Sequence, residues 1–242
     1  MGKIALLPRP WRRRTAKANL SEALPLPYYG MWDRFSELAD EIRSSAFMAE
    51  MMRRRAEFGK VGLMAALDCA TLYALTRLQR PMLVIESGGF VGLSAAFILK
   101  ALADEQLAGA KLYSIEASDD CEHGALIPAE LRAQFVALHG KVEDLVRGEQ
   151  LPHKIDMFLH DSSHRYHHMK WEFGEFWRRL GEGGMLVSHD VNMTGAFAEF
   201  VARTYTHHKK SGLLDYERTL HHEWGRWGYI GFIIKKTGRA KR

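Results

Sequence analysis

Cysteine is scarce: the 242 residues hold two, Cys69 and Cys121, far apart and without metal-knuckle spacing. That excludes a disulfide framework or a zinc ribbon and makes a reducing, cytoplasmic setting the expectation. Long apolar runs are missing too. No uninterrupted stretch reaches the roughly 18 residues a membrane span needs. The start MGKIALLPRPWRRRTAK places its basic cluster, Arg12 to Arg14, after a short apolar patch, unlike a secretion signal. An RNA-binding signature is also absent. The formal net charge is +5, but the excess sits in Arg12 to Lys17 and in the terminal KKTGRAKR. Charge at the ends reads as solvating tails, so no nucleic-acid partner is expected.

What is present is ordinary for a globular protein, with 47% hydrophobic and 26% charged residues. The length suits one large α/β domain, or a catalytic domain with an N-terminal extension. Pro8, Pro10, Pro25 and Pro27 break residues 1–31 into an irregular arm. Two helical patterns follow. Asp33 to Phe58 carries Phe35, Leu38, Ile42 and Met48 near helical spacing, and Gly62 to Leu78 is apolar on most faces. Residues 1–80 are therefore expected to be an arm and helices that act as a lid or a dimerisation element, too short for a core of their own. Residues 81–242 are expected to be the catalytic domain.

From Met82 short apolar runs alternate with amphipathic helices, the order that builds a parallel sheet. Strands are predicted at MLVIES, KLYSIEA, FVALHG, IDMFLHD and GMLVSHD, and helices near 92–105, 124–134, 166–180 and 194–208. Two later candidates, LLDYERTL and GYIGFIIKK, suggest an antiparallel edge. The expected fold is a Rossmann-like, doubly wound α/β sheet, which binds ligands at the carboxyl ends of its strands.

The first strand runs through Glu86-Ser87-Gly88-Gly89-Phe90-Val91-Gly92-Leu93-Ser94 straight into a helix. Glycines there let a ligand approach the backbone, and the helix N-terminus offers free N–H donors. Tight strand-to-helix packing is the other reading of the same glycines. The spacing matches neither G-x-G-x-x-G nor a Gly-Lys-Ser/Thr phosphate loop, so nicotinamide and triphosphate binding fall behind. Glu116 closes the second strand, where a carboxylate can accept both ribose hydroxyls of a nucleoside; otherwise it is a solvated strand-end charge. Taken together, the turn and this acid resemble class I S-adenosylmethionine (SAM)-dependent methyltransferases. The resemblance implies a cofactor site of Glu86, Ser87, Gly88, Gly92 and Ser94, with Glu116 and neighbouring Ala117 at the ribose. Glu143, among Val142 to Asp144, would lie at the adenine, and Asp161 at the rim.

Two strands end in His-Asp: His160-Asp161 and His189-Asp190. Asp161 with His164, and His189 with Asp190 and Asn192, offer oxygen and imidazole ligands suited to a divalent cation. The plainer reading scatters the 12 histidines and makes Asp161 a helix cap. Asp161-Ser162-Ser163-His164-x-Tyr166, Trp171-Glu172-Phe173 and Ser188-His189-Asp190 resemble the branch of metal-dependent macrolide-sugar and cephalosporin-biosynthesis O-methyltransferases. That resemblance implies Asp161, His189, Asp190 and Asn192 as metal ligands and His164 as the base. His189 stands where the branch usually has a carboxylate, which weakens a choice of magnesium and admits manganese, iron or zinc. His160 is expected to be structural, and Phe173, Phe176, Trp171 and Trp177 to anchor the core; His167 and His168 either line the same mouth as His164 or belong to a polar helix face. The loop HHEWGRWG either closes over the acceptor or packs at the sheet edge.

The expected activity is SAM-dependent methylation of a hydroxyl on a small molecule or natural product. The alternatives are N-methylation or cyclisation on the same fold, or a non-catalytic binding protein. A homo-oligomer is expected, paired through the N-terminal helices.

Overall fold

The computed structural model describes residues 29–59, 62–211 and 230–235. Three helices come first: α1 (Tyr29–Arg43), α2 (Ala46–Phe58) and α3 (Ala66–Gln79). The sequence pattern reads α1 and α2 as one helix, but Ser45 interrupts it with extended backbone, φ −81° and ψ 154°. Its hydroxyl accepts from Met48 N at 3.1 Å and donates to Ile42 O at 2.7 Å. Serine competes with the helical ladder in this way and so favours caps over helix interiors.

The remainder alternates: β1 (Leu83–Ser87), α4 (Leu93–Asp104), β2 (Lys111–Glu116), β3 (Phe135–His139), α5 (Val142–Arg147), β4 (Ile155–His160), α6 (Tyr166–Arg179), β5 (Leu180–Ser188), α7 (Ala196–Ser211) and β6 (Gly231–Ile234). The helix expected near 124–134 is instead a set of turns and a short 3-10 helix, Ala129–Gln134. Gly124 adopts φ +78° and Pro128 precedes the 3-10 segment, so a continuous α-helix cannot form there. GYIGFIIKK contributes β6; LLDYERTL and HHEWGRWG lie outside the described residues.

The sheet order is β3-β2-β1-β4-β5-β6, parallel throughout except that β6 runs antiparallel to β5. This is the expected doubly wound sheet with an antiparallel edge. The chain leaves β1 toward one edge and returns at β4 toward the other. A crevice therefore opens at the carboxyl ends of β1 and β4, where ligands bind in such sheets.

Each face of the sheet has its own core. On one face Val84, Leu112, Met157, Leu159, Met185 and Val187 pack with α1 to α4. On the other Ile85, Ile115, Phe158 and Leu186 pack with α5 to α7. Leu38, Ile42 and Met51 from the first two helices belong to the first core, together with Tyr73 of α3. Tyr73 also donates to Asp104 of α4 at 2.7 Å, and Arg77 donates to Glu105 at 2.5 Å. Among the described residues no helix is long and apolar enough to cross a membrane.

Candidate active site

Side chains alternate between the two faces along each strand. Continuing that alternation past the carboxyl ends puts Glu86, Ser114, Glu116, Asp161 and His189 on the α3/α4 side. Ser87 and His160 fall on the α6 side. The polar groups at the rim thus form two separate assemblies.

At the end of β1, Gly88 adopts φ +90°, and a Cβ there would lie 2.2 Å from the carbonyl oxygen of Asp161. Gly92, at φ +83°, would place a Cβ 2.8 Å from Gly124 Cα. Both glycines answer a packing demand, so their presence alone does not indicate a ligand. α4 then begins without a side-chain cap, leaving first-turn N–H groups available.

Glu86 is fully buried and accepts from Ser114 Oγ at 2.6 Å and from Ser94 Oγ. Burial pushes its carboxyl up to about 7; the two hydroxyls oppose that rise, while Asp161 and Glu116 add to it. Glu86 and Ser94 therefore tie the turn together from beneath. Glu116 is at the rim. It accepts from Phe90 N and from Ser118 N, each at 2.7 Å, one on each oxygen. Each oxygen keeps a further lone pair for a hydroxyl. Ala117 beside it is exposed. Glu143, in the first turn of α5, points to α6, with its carboxylate 3.2 Å from His168 Nδ1.

The α6-side assembly centres on Glu172, a residue sequence reasoning missed. It is fully buried and takes Ser87 Oγ at 2.6 Å, His160 Nδ1 at 2.6 Å, His168 Nε2 at 2.8 Å and Ser162 Oγ at 3.0 Å. Burial opposes its ionisation, but His160 and His168, helped by Ser87, hold its pKa at about 2. The available signal was its position: Glu172 sits with Met169, Phe173 and Phe176 on the buried stripe of an amphipathic helix. His160 is buried here in a structural bond, and His168 belongs to the same network, with its pKa raised chiefly by Glu172.

The α3-side assembly joins Asp161, His164, His189 and Asp190, each offering one ligand atom, all within 4.8 Å of one another. His189 Nδ1 lies 3.0 Å from Asp161 Oδ1 and 3.5 Å from Asp190 Oδ2. His164 Nε2 lies 3.3 Å from Asp190 Oδ2 and 3.8 Å from Asp161 Oδ1. Asp190 adopts φ +52°, a left-handed conformation that costs a non-glycine residue on the order of 1 kcal/mol and recurs at functional sites. Asn192, on the turn after Asp190, is exposed. Asp161 does not cap α6, whose N-cap is Arg165 with no side-chain bond.

Asp68, in the first turn of α3, was also missed, although it is an acid inside the otherwise apolar 62–78 pattern. It is buried, with Oδ2 3.4 Å from His189 Nε2. Among the described residues Asp68 Oδ1, His164 Nε2 and Asp190 Oδ1 are all buried without a hydrogen-bond partner. Native folds rarely leave such atoms orphaned, since each costs about 1–3 kcal/mol. Oxygen and imidazole donors with unmet valence at one spot fit a divalent cation. Burial drives the His164 pKa down despite Asp161 and Asp190, whereas for His189 the surrounding carboxylates, Asp161 foremost, overcome burial and raise it. The neutral imidazole of His164 is the form that can take up a proton.

Residues 85–191 match the family model described as a methyltransferase domain. A search of curated proteins finds no match. Solved structures share the fold at low identity. An O-methyltransferase from Bacillus cereus, in complex with SAH, is 15% identical with a TM-score of 0.60, over 79% of this chain and 92% of that one. The O-methyltransferase TomG from Streptomyces achromogenes, involved in tomaymycin synthesis and in complex with SAM, is 16% identical with a TM-score of 0.60, over 80% and 91%. The SAH-bound methyltransferase PaMTH1 from Podospora anserina is 14% identical with a TM-score of 0.56, over 88% and 98%. Residues 85–191 are thus similar to a methyltransferase domain, and the chain shares the Rossmann-like fold of these solved structures.

Proposed function

We propose that this chain is a SAM-dependent O-methyltransferase that acts on a hydroxyl of a small-molecule acceptor with the help of a divalent cation. The observation that carries the reading is the convergence of Asp161, His164, His189 and Asp190 beside the β1 turn, at the carboxyl ends of β4 and β5. Glu116 takes the ribose hydroxyls through the lone pairs its backbone bonds leave open. Gly88 to Gly92 and the α4 N-terminus face the methionine part, supported from below by Glu86, Ser87 and Ser94. Ala117 and Glu143 flank the nucleoside. Asp161, His189 and Asp190 hold the cation, with exposed Asn192 as a further ligand. The mixed oxygen and nitrogen donors favour manganese, iron or zinc over magnesium.

When bound, SAM supplies an electrophilic methyl group and the cation lowers the pKa of the acceptor hydroxyl. In that transfer His164 would accept the acceptor hydroxyl's proton at Nε2. Asp190, 3.3 Å away, stabilises the imidazolium that results. Residues 1–80 serve as a lid over the acceptor or as the dimerisation element of a homo-oligomer, beside the catalytic domain of residues 81–242; the enzyme works in the cytoplasm, and no nucleic acid takes part.

Calorimetric titration with SAH tests the cofactor site. Glu116→Ala should weaken binding at least tenfold, about 1.4 kcal/mol. No heat with the unmutated protein rejects the reading. A second reading has its own observation: the carboxylates around His189, Asp161 foremost, raise its pKa against burial and so favour a positive charge there without a metal. Turnover of an amine acceptor that persists in chelator would select that metal-independent N-methylation.

A further inference from the structure

We propose that Asp68 is a positioning residue of the cation site: it accepts the Nε2 proton of His189 and so turns the Nδ1 lone pair toward Asp161 and Asp190. The inference rests on the cation reading above and goes beyond it, because it assigns a role to a helix outside the domain match at residues 85–191.

The two ring nitrogens of His189 face opposite ways. Nδ1 looks at Asp161 Oδ1 (3.0 Å) and Asp190 Oδ2 (3.5 Å), whereas Nε2 looks at Asp68 Oδ2 (3.4 Å). Only one nitrogen can serve as a ligand to a cation held by those two aspartates, and it is Nδ1. A neutral imidazole that ligates through Nδ1 must carry its proton on Nε2, and a buried N–H there needs an acceptor. Asp68 is that acceptor.

Packing does not account for Asp68. Its side chain is 2% exposed on a helix whose neighbouring positions are mostly buried apolar groups, and Oδ1 has no hydrogen-bond partner among the described residues. A carboxylate in such a place is costly unless it is paired. Its position in the first turn of α3 favours negative charge. A carboxylate on the far nitrogen of a ligating histidine fixes the tautomer and makes the ring more basic, and losing it costs about 10- to 100-fold in metal affinity. α1 packs along α3, with Glu41 paired to Arg77 and Tyr73, so the N-terminal helices become part of the site's geometry.

The test is cobalt(II) titration of the full chain, followed by visible absorption, with SAH affinity measured in parallel. Asp68→Asn should lower cobalt affinity about 10- to 100-fold and leave SAH affinity unchanged. In an H189D background, where the ligand needs no second-nitrogen partner, Asp68→Asn should change cobalt affinity less than twofold. Equal affinity of the unmutated protein and Asp68→Asn overturns the role of Asp68 alone. No cobalt binding by the unmutated protein overturns the cation reading with it, while SAH binding still judges the methyltransferase reading. Should Asp68→Asn fail to fold, nitrogen-15 NMR of the zinc-loaded, unmutated protein decides: a proton on Nε2 of His189 is expected, and a proton on Nδ1 overturns the proposal.

Discussion

Glu86 gives the most quantitative consequence of the site. Its carboxyl is fully buried, and its pKa stands at about 7 against an ordinary value of 4.5. In the unfolded chain the proton leaves near 4.5; in the folded protein it stays until about 7. Between those values the native state binds more protons, so stability falls as pH rises and levels off above 7. At about 1.4 kcal/mol per pH unit, the gap corresponds to about 3 kcal/mol. Glu86→Gln keeps the size of the side chain, can accept from one serine hydroxyl through its oxygen and donate to the other through its amide, and never ionises. Its stability relative to the unmutated protein should therefore rise by about 3 kcal/mol between pH 4.5 and pH 8. Urea unfolding of both ligand-free proteins across that range measures it, and the difference cancels every other titrating group. A difference that stays constant with pH would refute the burial argument. SAM carries a sulfonium and an ammonium, so its binding nearby favours ionised Glu86. SAM affinity should accordingly rise with pH up to about 7 in the unmutated protein and not in Glu86→Gln.

Glu172 has the opposite sign. Its pKa of about 2 contributes stability that is present above 4.5 and lost as pH falls toward 2, so Glu172→Gln should cost roughly 3 kcal/mol at neutral pH, read from thermal or urea unfolding. Gly88→Ala should yield little folded protein, because the new Cβ meets backbone at 2.2 Å and not a movable side-chain tip; soluble expression and circular dichroism report it. His164→Ala should lower turnover by roughly 10²- to 10⁴-fold, the usual size of a general-base contribution, and leave cation binding in place. Loss of the cation in that variant would instead make His164 a ligand.

The sheet was legible because its strands are short apolar runs bounded by turns, a signal that depends on neighbours in sequence. Local competition hid the break at Ser45: α1 and α2 share one helical periodicity, and a serine's choice between ladder and cap leaves no mark in the apolar pattern. Gly124 and Pro128 did mark the failed helix at 124–134, yet its apolar positions outweighed them. Asp161, His164, His189 and Asp190 were legible because they follow strands on one rim. Asp68 and Glu172 were not: Asp68 gains meaning from His189, far along the chain, and Glu172 from a network that joins distant Ser87 to the nearer His160, Ser162 and His168. Their shared trace is an acid on a helix face that is otherwise buried. Such a residue looks like noise in a periodicity count until the opposing side chain is known.

The repeated His-Asp dipeptide shows how register divides chemistry. β4 and β5 pair His160 with Ser188, not with His189, so the two dipeptides are offset by one residue. In a parallel sheet that offset sends the two histidines to opposite faces. His160 turns to α6, where Glu172 fixes it in a buried bond. His189 turns with Asp161 to α3, where Asp68 waits, and its backbone N–H donates to His160 O at 2.9 Å. Aligned dipeptides would have stacked two histidines on one side and two aspartates on the other, and left the aspartates without an imidazole between them. The shift instead alternates carboxylate and imidazole from Asp68 through His189 to Asp161. Asp190, one residue further on, bends back into the cluster through its left-handed backbone. The α6-side network then acts as a floor: Ser87, Ser162 and His160 all bond to Glu172, which ties the ends of β1 and β4 to one helix. A rigid floor beneath β1 and β4 keeps the Gly turn and the cluster in fixed relation, as transfer between two bound molecules requires.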